Sequence, residues 1–154
     1  KETQYVLDYL KIEAPELIEG VKKEVAKVEN VLKQTSLYLQ VNHLKESDYN
    51  KETVDRMVNA LADDLNTSLA LTEILNQVKV LNQVMRVKEK DATVISKEYQ
   101  TLLKMCDVIG FVFKPKQLDD EELATYKKWL DAKVEKDFEK ADQYRDILIK
   151  KGII

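Results

Sequence analysis

The sequence contains few of the residues that end helices or form tight turns. Among its 154 residues there are only three glycines and two prolines. An all-β fold with many short strands would need turn residues throughout its length. The chain is instead rich in Lys, Glu, Leu, Asp and Val. This composition predicts long helices and an all-α fold.

Cysteine and histidine are almost absent. The single cysteine, Cys106, permits neither an internal disulfide nor a metal site with several thiolates, which suits a reducing cytoplasm. Its place on the apolar face of a helix favours a buried, unreactive thiol over a nucleophile. The single histidine, His43, lies in a polar stretch without a Glu-x-x-His pair. A surface loop is therefore favoured for it over a metal site.

The signatures of an active site are missing. The sequence has no G-x-G-x-x-G and no G-x-x-x-x-G-K phosphate loop, and no pair of acids stands out by its spacing. Asp63 and Asp64 precede Asn66 and Thr67, and a helix end followed by a helix cap is favoured there over an acidic ligand cluster. We therefore expect no catalytic residues and no metal ligands in this chain.

Net charge and hydropathy limit how the chain could meet a nucleic acid or a membrane. The formal charge is -3, so a nucleic-acid partner would need a local basic patch rather than the field of the whole chain. No stretch approaches the roughly 20 apolar residues of a membrane span. The chain begins KETQYVLDYL, with neither Met nor a signal-peptide pattern, and we expect it to be an internal piece of a longer protein.

Hydrophobic periodicity predicts six helical segments. They cover about residues 14–39, 51–64, 68–88, 92–109, 119–135 and 138–151. Val58 and Leu71 are expected on the buried faces of the second and third segments. The first four segments predict an antiparallel four-helix bundle at residues 1–112, and a linker at 113–118 contains Pro115. The last two segments predict an appended helical hairpin at 119–154.

The closing segment WLDAKVEKDFEKADQYRDILIKK alternates basic and acidic residues. This charge pattern alone favours a solvated helical face over an RNA site. Phe138, Ala141, Tyr144 and Leu148 recur at helical spacing, which places most of the aromatic residues in the core. Aromatic, guanidinium and carboxylate groups within two helical turns nevertheless suit unstacked RNA bases, which expose both their faces and their edges.

Several motifs in order resemble the C-terminal region of the cysteinyl-tRNA synthetases. They are MVNALADDLNTSLAL, AKVEKDFEKADQYRDILIKKGI, the stretch LLKMCDVIGF between them and a weaker match around LKIEAPELIEGVKKEV. The resemblance covers nearly the whole chain. It implies a DALR-type anticodon-binding bundle of a cytoplasmic enzyme that binds cysteine-specific tRNA and not DNA. ATP and zinc would be cofactors of a catalytic domain that this chain lacks, and that domain would be its intramolecular partner.

The resemblance also implies roles for single residues. Phe138 would stack on an anticodon base, Asp142 and Arg145 would read base edges, and Lys133 would contact a base or a phosphate. Lys133 stands where the family usually has Arg, so a bidentate contact is not expected there. The family's acidic and Trp-Arg-rich tail does not follow Gly152, so the chain alone is expected to bind tRNA weakly or not detectably.

The alternative is a helical scaffold that packs against a partner protein and does not touch nucleic acid. Its expected contact surface is the apolar stretch at the N-terminus, which includes Tyr5, Val6, Leu7 and Tyr9.

Overall fold

The computed structural model describes residues 15–44, 47–63 and 67–154, and in these ranges all regular structure is helical. The helices are α1 (Pro15–Val41), α2 (Lys51–Ala62), α3 (Thr67–Arg86), α4 (Ala92–Val108), α5 (Asp120–Val134) and α6 (Phe138–Lys150). The all-α prediction is confirmed, and each boundary lies within about two residues of the predicted one, the usual uncertainty of helix ends.

The first four helices form a bundle. α1 and α2 each pack against α3 and α4 but not against one another, so they lie diagonally across the bundle. α5 and α6 pack mainly on each other, and α5 also contacts α1. The predicted four-helix bundle with an appended C-terminal hairpin is therefore confirmed, and α1 is the helix that joins the two parts.

The bundle core lies on one apolar face of each helix. Leu32 of α1, Met57 of α2, Leu81 of α3 and Leu102 of α4 each have no exposed surface. Because residues three and four apart share a helix face, these side chains extend into stripes along each helix. The buried stripes are Val28, Val31 and Leu39 on α1, Val54 and Ala60 on α2, Ala70, Ile74 and Val78 on α3, and Ile95, Tyr99, Met105 and Cys106 on α4.

Two residues predicted to be buried are exposed. Val58 is 40% exposed and Leu71 is 44% exposed. The buried positions of α2 are Thr53, Val54, Met57 and Ala60, and Val58 falls beside this stripe rather than within it. The stripe of α3 likewise runs through Ala70 and Ile74, so Leu71 is turned toward solvent.

A second apolar cluster fixes the hairpin to the bundle. Leu148 and Ile153 from the α6 end are almost fully buried with Tyr126 of α5 and Leu37 of α1. Leu118, from the stretch that connects α4 to α5, completes the cluster. Since Leu37 lies on α1, the hairpin is docked by the same helix that builds the bundle core.

Gln40 of α1 holds the connecting stretch in place by hydrogen bonds. Its Nε2 donates to the carbonyl oxygen of Lys116 at 3.0 Å, and its Oε1 accepts from the backbone N–H of Leu118 at 2.9 Å. One side chain thus satisfies two backbone groups that are not part of any helix. These contacts fix where α5 starts relative to α1.

Four helices end in the same hydrogen-bonded motif. The residue after the cap adopts a left-handed backbone conformation, and the next N–H donates back to the last turn of the helix. The φ angles are 52° at His43, 81° at Gly110, 58° at Lys136 and 71° at Gly152. The closing bonds run from Leu44, Phe111, Asp137 and Ile153 to the carbonyls of Leu39, Cys106, Ala132 and Leu148.

Predictions for two short stretches have separate outcomes. Asp63 is the C-cap of α2, and its N–H donates to the carbonyl of Asn59, so the predicted helix end is confirmed. The apolar stretch at residues 5–9, and Asp64 and Asn66, lie outside the described residues.

No helix among the described residues is long and apolar enough to cross a membrane.

Candidate nucleic-acid interface

A large aromatic side chain lies exposed at the start of α6. Phe138 is 71% exposed, so the prediction that the spacing Phe138, Ala141, Tyr144, Leu148 marks a core stripe is wrong at its first position. Ala141 and Leu148 are buried and Tyr144 is half-buried. Phe138 is the first residue of α6 and precedes its first buried turn. The facing helix α5 ends at Val134, so it does not extend over the Phe138 ring. Its ring is available to a ligand.

Asp142 and Arg145 lie on the same face of α6 as Phe138. The three positions are separated by four and three residues, which places them one above another along a helix. Both Asp142 and Arg145 are exposed. Within the described ranges, neither forms an ion pair. The face therefore offers an aromatic ring, a carboxylate and a guanidinium whose polar groups are not used by the fold.

Packing against α5 determines the direction of this face. Ala141 is 7% exposed and Leu148 has no exposed surface, and both lie on the side of α6 that meets the hairpin cluster. On a helix, Phe138 and Arg145 lie roughly 60° around the axis from these two residues. The three candidate residues therefore project sideways from the hairpin.

Lys133 lies at the same end of the hairpin, in the last turn of α5. Its Nζ is 4.4 Å from the centroid of the Trp129 ring, close enough for a cation–π contact. The Lys133 side chain is exposed. A lysine supplies a point charge rather than the planar fork of an arginine, so this position suits a phosphate better than a bidentate contact with a base.

The turn between α5 and α6 positions these residues. Asp137 is the N-cap of α6, and its Oδ1 accepts from the N–H of Lys140 at 3.3 Å. Its Oδ2 also lies 3.5 Å from the Lys140 Nζ. Phe138 is therefore the first residue of a capped helix, which restricts the direction in which its ring projects.

Lys136, in the same turn, has a φ of 58°, a conformation that costs an L-residue with a Cβ roughly 1–2 kcal/mol. Lys136→Gly should therefore raise the free energy of unfolding by about 0.5–1 kcal/mol, because part of the relief is lost to the greater freedom of glycine in the unfolded chain. Urea unfolding followed by the fluorescence of Trp129 would measure the change. Lys136→Ala keeps the strain and removes the side chain beyond Cβ, so a glycine variant no more stable than the alanine variant would contradict this account.

A groove runs between α1 and α5 next to this end of the hairpin. Its volume is about 900 Å³. Tyr126 and Trp129 lie on its α5 side, with ring centroids 5.6 Å apart and an angle of 52° between the rings. Tyr38 lines the α1 side, and the highly exposed Val134, the last residue of α5, also lines the groove. Lysines also line the groove: Lys33, Lys90, Lys127 and Lys133.

The two residues with the most reactive side chains belong elsewhere. Cys106 is 2% exposed in the bundle core, and burial raises the pKa of its thiol to about 11. His43 is exposed at the end of α1. The predicted burial of Cys106 and the predicted surface position of His43 are confirmed. No group of three or more His, Cys, Asp or Glu side chains in the described part of the chain could hold a metal ion.

Sequence reasoning missed three residues that shape this region. Gln40 docks the connecting stretch, Asp137 caps α6 and Trp129 carries Lys133 on its ring. Only Asp137 had a local signal, an Asp directly before a predicted helix. Contacts such as that of Gln40 with Lys116 join residues 76 positions apart, and no local pattern reports them.

Comparisons with known proteins find similarity to cysteine–tRNA ligases. The family model for the DALR domain matches residues 56–114. The cysteine–tRNA ligase of Mesoplasma florum is 30% identical over 141 residues, covering 90% of this chain and 32% of the ligase. The cysteine–tRNA ligase of Acholeplasma laidlawii is 25% identical over 139 residues, covering 90% of this chain and 30% of the ligase. The chain thus spans about a third of the length of these relatives. No solved structure matches it significantly.

Proposed function

We propose that this chain is the tRNA-binding part of a cytoplasmic cysteine–tRNA ligase. The proposal is supported by the DALR-domain match at residues 56–114 and by similarity to cysteine–tRNA ligases over 90% of the chain. The parent enzyme joins cysteine to its tRNA at the expense of ATP. ATP and zinc belong, in this proposal, to a catalytic domain outside this chain. The tRNA-binding part divides into a bundle at residues 1–112, a linker at 113–118 and an anticodon-reading hairpin at 119–154.

The observation that supports this proposal most is the exposed face of α6. A phenyl ring that is 71% exposed gives up the roughly 1.5–3 kcal/mol that its burial would contribute to folding. Stacking of the ring on a base would offset this lost folding energy, since stacking of this kind contributes about 1–3 kcal/mol per base. Asp142 accepts from an exocyclic amine, and Arg145 donates to base acceptors.

Lys133 adds a positive charge at the edge of this face. The chain as a whole carries a formal charge of -3, so its long-range field does not attract RNA. Positive charge must therefore be placed locally, and Lys133 does this beside Phe138. In this arrangement Phe138, Asp142 and Arg145 distinguish bases, while Lys133 contributes affinity that is independent of sequence.

Arg145→Ala should weaken binding of a cysteine-specific tRNA by roughly 1–3 kcal/mol, the loss of one good base contact. The fluorescence anisotropy of a labelled tRNA would be titrated with the 154-residue chain. The matched control is Arg56→Ala, because Arg56 lies on α2, which contacts neither α5 nor α6. Arg56 makes an ion pair with Glu73 at 3.7 Å that is largely exposed at the arginine, so its loss costs little.

Two results would reject the proposal. One is equal affinity of the wild-type chain and the Arg145 variant. The other is equal affinity of the wild-type chain for the cysteine-specific tRNA and for a tRNA with an unrelated anticodon, since base reading requires discrimination.

The alternative function is a scaffold that packs against another protein domain. It is favoured by exposed apolar residues on α2 and α3, since Val58 and Leu71 are 40% and 44% exposed. A scaffold predicts a stable complex with the separately produced catalytic domain and no effect of Arg145→Ala on tRNA affinity.

A further inference from the structure

The groove between α1 and α5 has features that the anticodon-reading face does not use. Four lysines and one aspartate line it, although the chain as a whole is acidic. Most of the side chains that line it come from α1 and α5, which are about ninety residues apart in the chain, and Asn42, Met85, Lys90 and Ile154 complete the lining. This local excess of positive charge in a chain of net negative charge favours an anionic ligand.

The α1 wall offers groups that recognise nucleotides. Asn30, Lys33, Gln34 and Tyr38 follow one another at helical spacing and all line the groove. Asn30 and Gln34 carry side-chain amides, which both donate and accept hydrogen bonds. Lys33 is exposed, so its ammonium group can approach a phosphate without first losing a buried partner.

The α5 wall offers aromatic faces. Trp129 is half-buried and carries the Lys133 Nζ at 4.4 Å from its ring centroid. Tyr126 supports it from the side, at a centroid distance of 5.6 Å. An indole ring fixed in this way is a stacking platform for a base, and stacking is tolerant of sequence because every base has a π-face.

The groove reaches the end of α5 that leads into the turn before α6. Val134, which is 82% exposed, lines the groove and lies four residues before Phe138 at the tip of the hairpin. Lys133 lines the groove and lies in the last turn of α5, at the end of the hairpin where α6 begins. A strand whose bases meet Phe138 and Arg145 would therefore reach the groove with its adjacent nucleotides.

We infer that the groove between α1 and α5 is a second RNA subsite, which holds unpaired nucleotides flanking those read by α6. This inference rests on the proposed tRNA-binding function. Trp129 stacks on a base, Lys33 and Lys127 contact phosphates, and Asn30 and Gln34 bond to base or ribose edges. The groove adds affinity without specificity, whereas α6 supplies specificity.

The single tryptophan of the chain makes the inference directly testable. Because Trp129 is the only tryptophan, the indole emission of the whole chain comes from the groove. The anticodon stem-loop of a cysteine-specific tRNA, labelled at its 5′ end, would be titrated with the chain while both label anisotropy and Trp129 emission are recorded. Stacking predicts saturable quenching of the emission with the same midpoint as the anisotropy.

Charge variants test the phosphate contacts. Lys33→Gln should weaken binding at least about 3-fold at low salt and reduce the slope of log affinity against log salt by about 0.7, the value for one contact with a single strand. Lys51→Gln removes the same charge from α2, which contacts neither α1 nor α5, and should change neither quantity. Inorganic polyphosphate should bind weakly and leave the Trp129 emission unchanged, because it carries no bases.

Failure of the subsite and failure of the proposed function give different results. If RNA raises the anisotropy but leaves the Trp129 emission unchanged, or if the Lys33 and Lys51 variants behave alike, the subsite is rejected and tRNA binding stands. Equal quenching by polyphosphate would reject a nucleotide site in favour of a general polyanion site. If neither this chain nor a full-length ligase that contains it changes the anisotropy, the proposed function fails, and the subsite fails with it.

Discussion

Leu148→Ala is expected to lower the free energy of unfolding of the hairpin by about 2–5 kcal/mol. Leu148 has no exposed surface and lies in the cluster that joins α5, α6 and α1 through Leu37, Tyr126 and Ile153. Removing three carbon atoms there loses apolar burial and leaves a cavity that the fixed backbone of two helices cannot fill. The hairpin should detach while the bundle core remains.

Two signals distinguish detachment of the hairpin from unfolding of the bundle in a urea titration. Trp129 packs against the hairpin cluster, so its fluorescence reports the hairpin, whereas the helical circular dichroism reports mainly the longer bundle helices. The Leu148 variant should lose the fluorescence signal at lower urea than the dichroism signal. Ile147→Ala is the matched control, because Ile147 is 42% exposed and its truncation should change stability by less than about 0.5 kcal/mol. Equal shifts in the two variants would contradict the role given to this cluster.

The hairpin cluster also explains why function and stability are linked in this part of the chain. Phe138, Asp142 and Arg145 contribute little to packing, and their direction depends on the buried side of the same helix. A substitution that weakens the packing of Leu148 should therefore weaken RNA binding, although Leu148 itself does not contact RNA. Measurements on α6 variants consequently need a stability control before a loss of affinity is assigned to a base contact.

The helices were predictable because their apolar residues recur with one period. Ile95, Tyr99, Leu102 and Cys106 are separated by three or four residues, and all four are buried on α4. Helix ends were also predictable where glycine marks them, as at Gly110 and Gly152, since a φ near +70° to +80° favours a residue without a Cβ.

Periodicity was less informative at the edges of each stripe. Val58 and Leu71 are apolar and adjacent to buried positions, and a pattern of hydrophobicity alone cannot tell that no neighbouring helix reaches them. Phe138 illustrates the same limit. It has the spacing of a core residue, but it lies where α5 has already ended, and the length of the facing helix decides its exposure.

The two parts of the candidate site differ in the same way in how far the sequence predicts them. The face of Phe138, Asp142 and Arg145 lies on one helix, so sequence spacing alone was enough to place its members together. The groove depends on the separation of α1 from α5, which is determined by the cluster around Leu37 and by the bonds of Gln40 to Lys116 and Leu118. These contacts join distant parts of the chain, and only the structure reveals them.

Alkylation of Cys106 is expected to be at least about 100-fold slower in the folded chain than in the unfolded chain at neutral to mildly basic pH. The thiolate is the reactive form, and burial raises the pKa of this thiol from 9.0 to about 11. Each pKa unit reduces the thiolate population about tenfold at a pH below both values. The side chain is also only 2% exposed, so the reagent rarely reaches it and the reaction is slowed further.

The reaction of iodoacetamide with the single thiol, followed by mass spectrometry with and without urea, would measure this ratio. An exposed comparison is provided by Cys106→Ala combined with Val108→Cys, because Val108 is 38% exposed at the end of the same helix. That thiol should react at nearly the unfolded rate in both conditions. The raised pKa also favours folding below pH 9, and this contribution is lost as the pH rises toward 11. If native Cys106 reacted as fast as the comparison thiol, α4 would have to open readily, and the bundle could not serve as a rigid support for the hairpin.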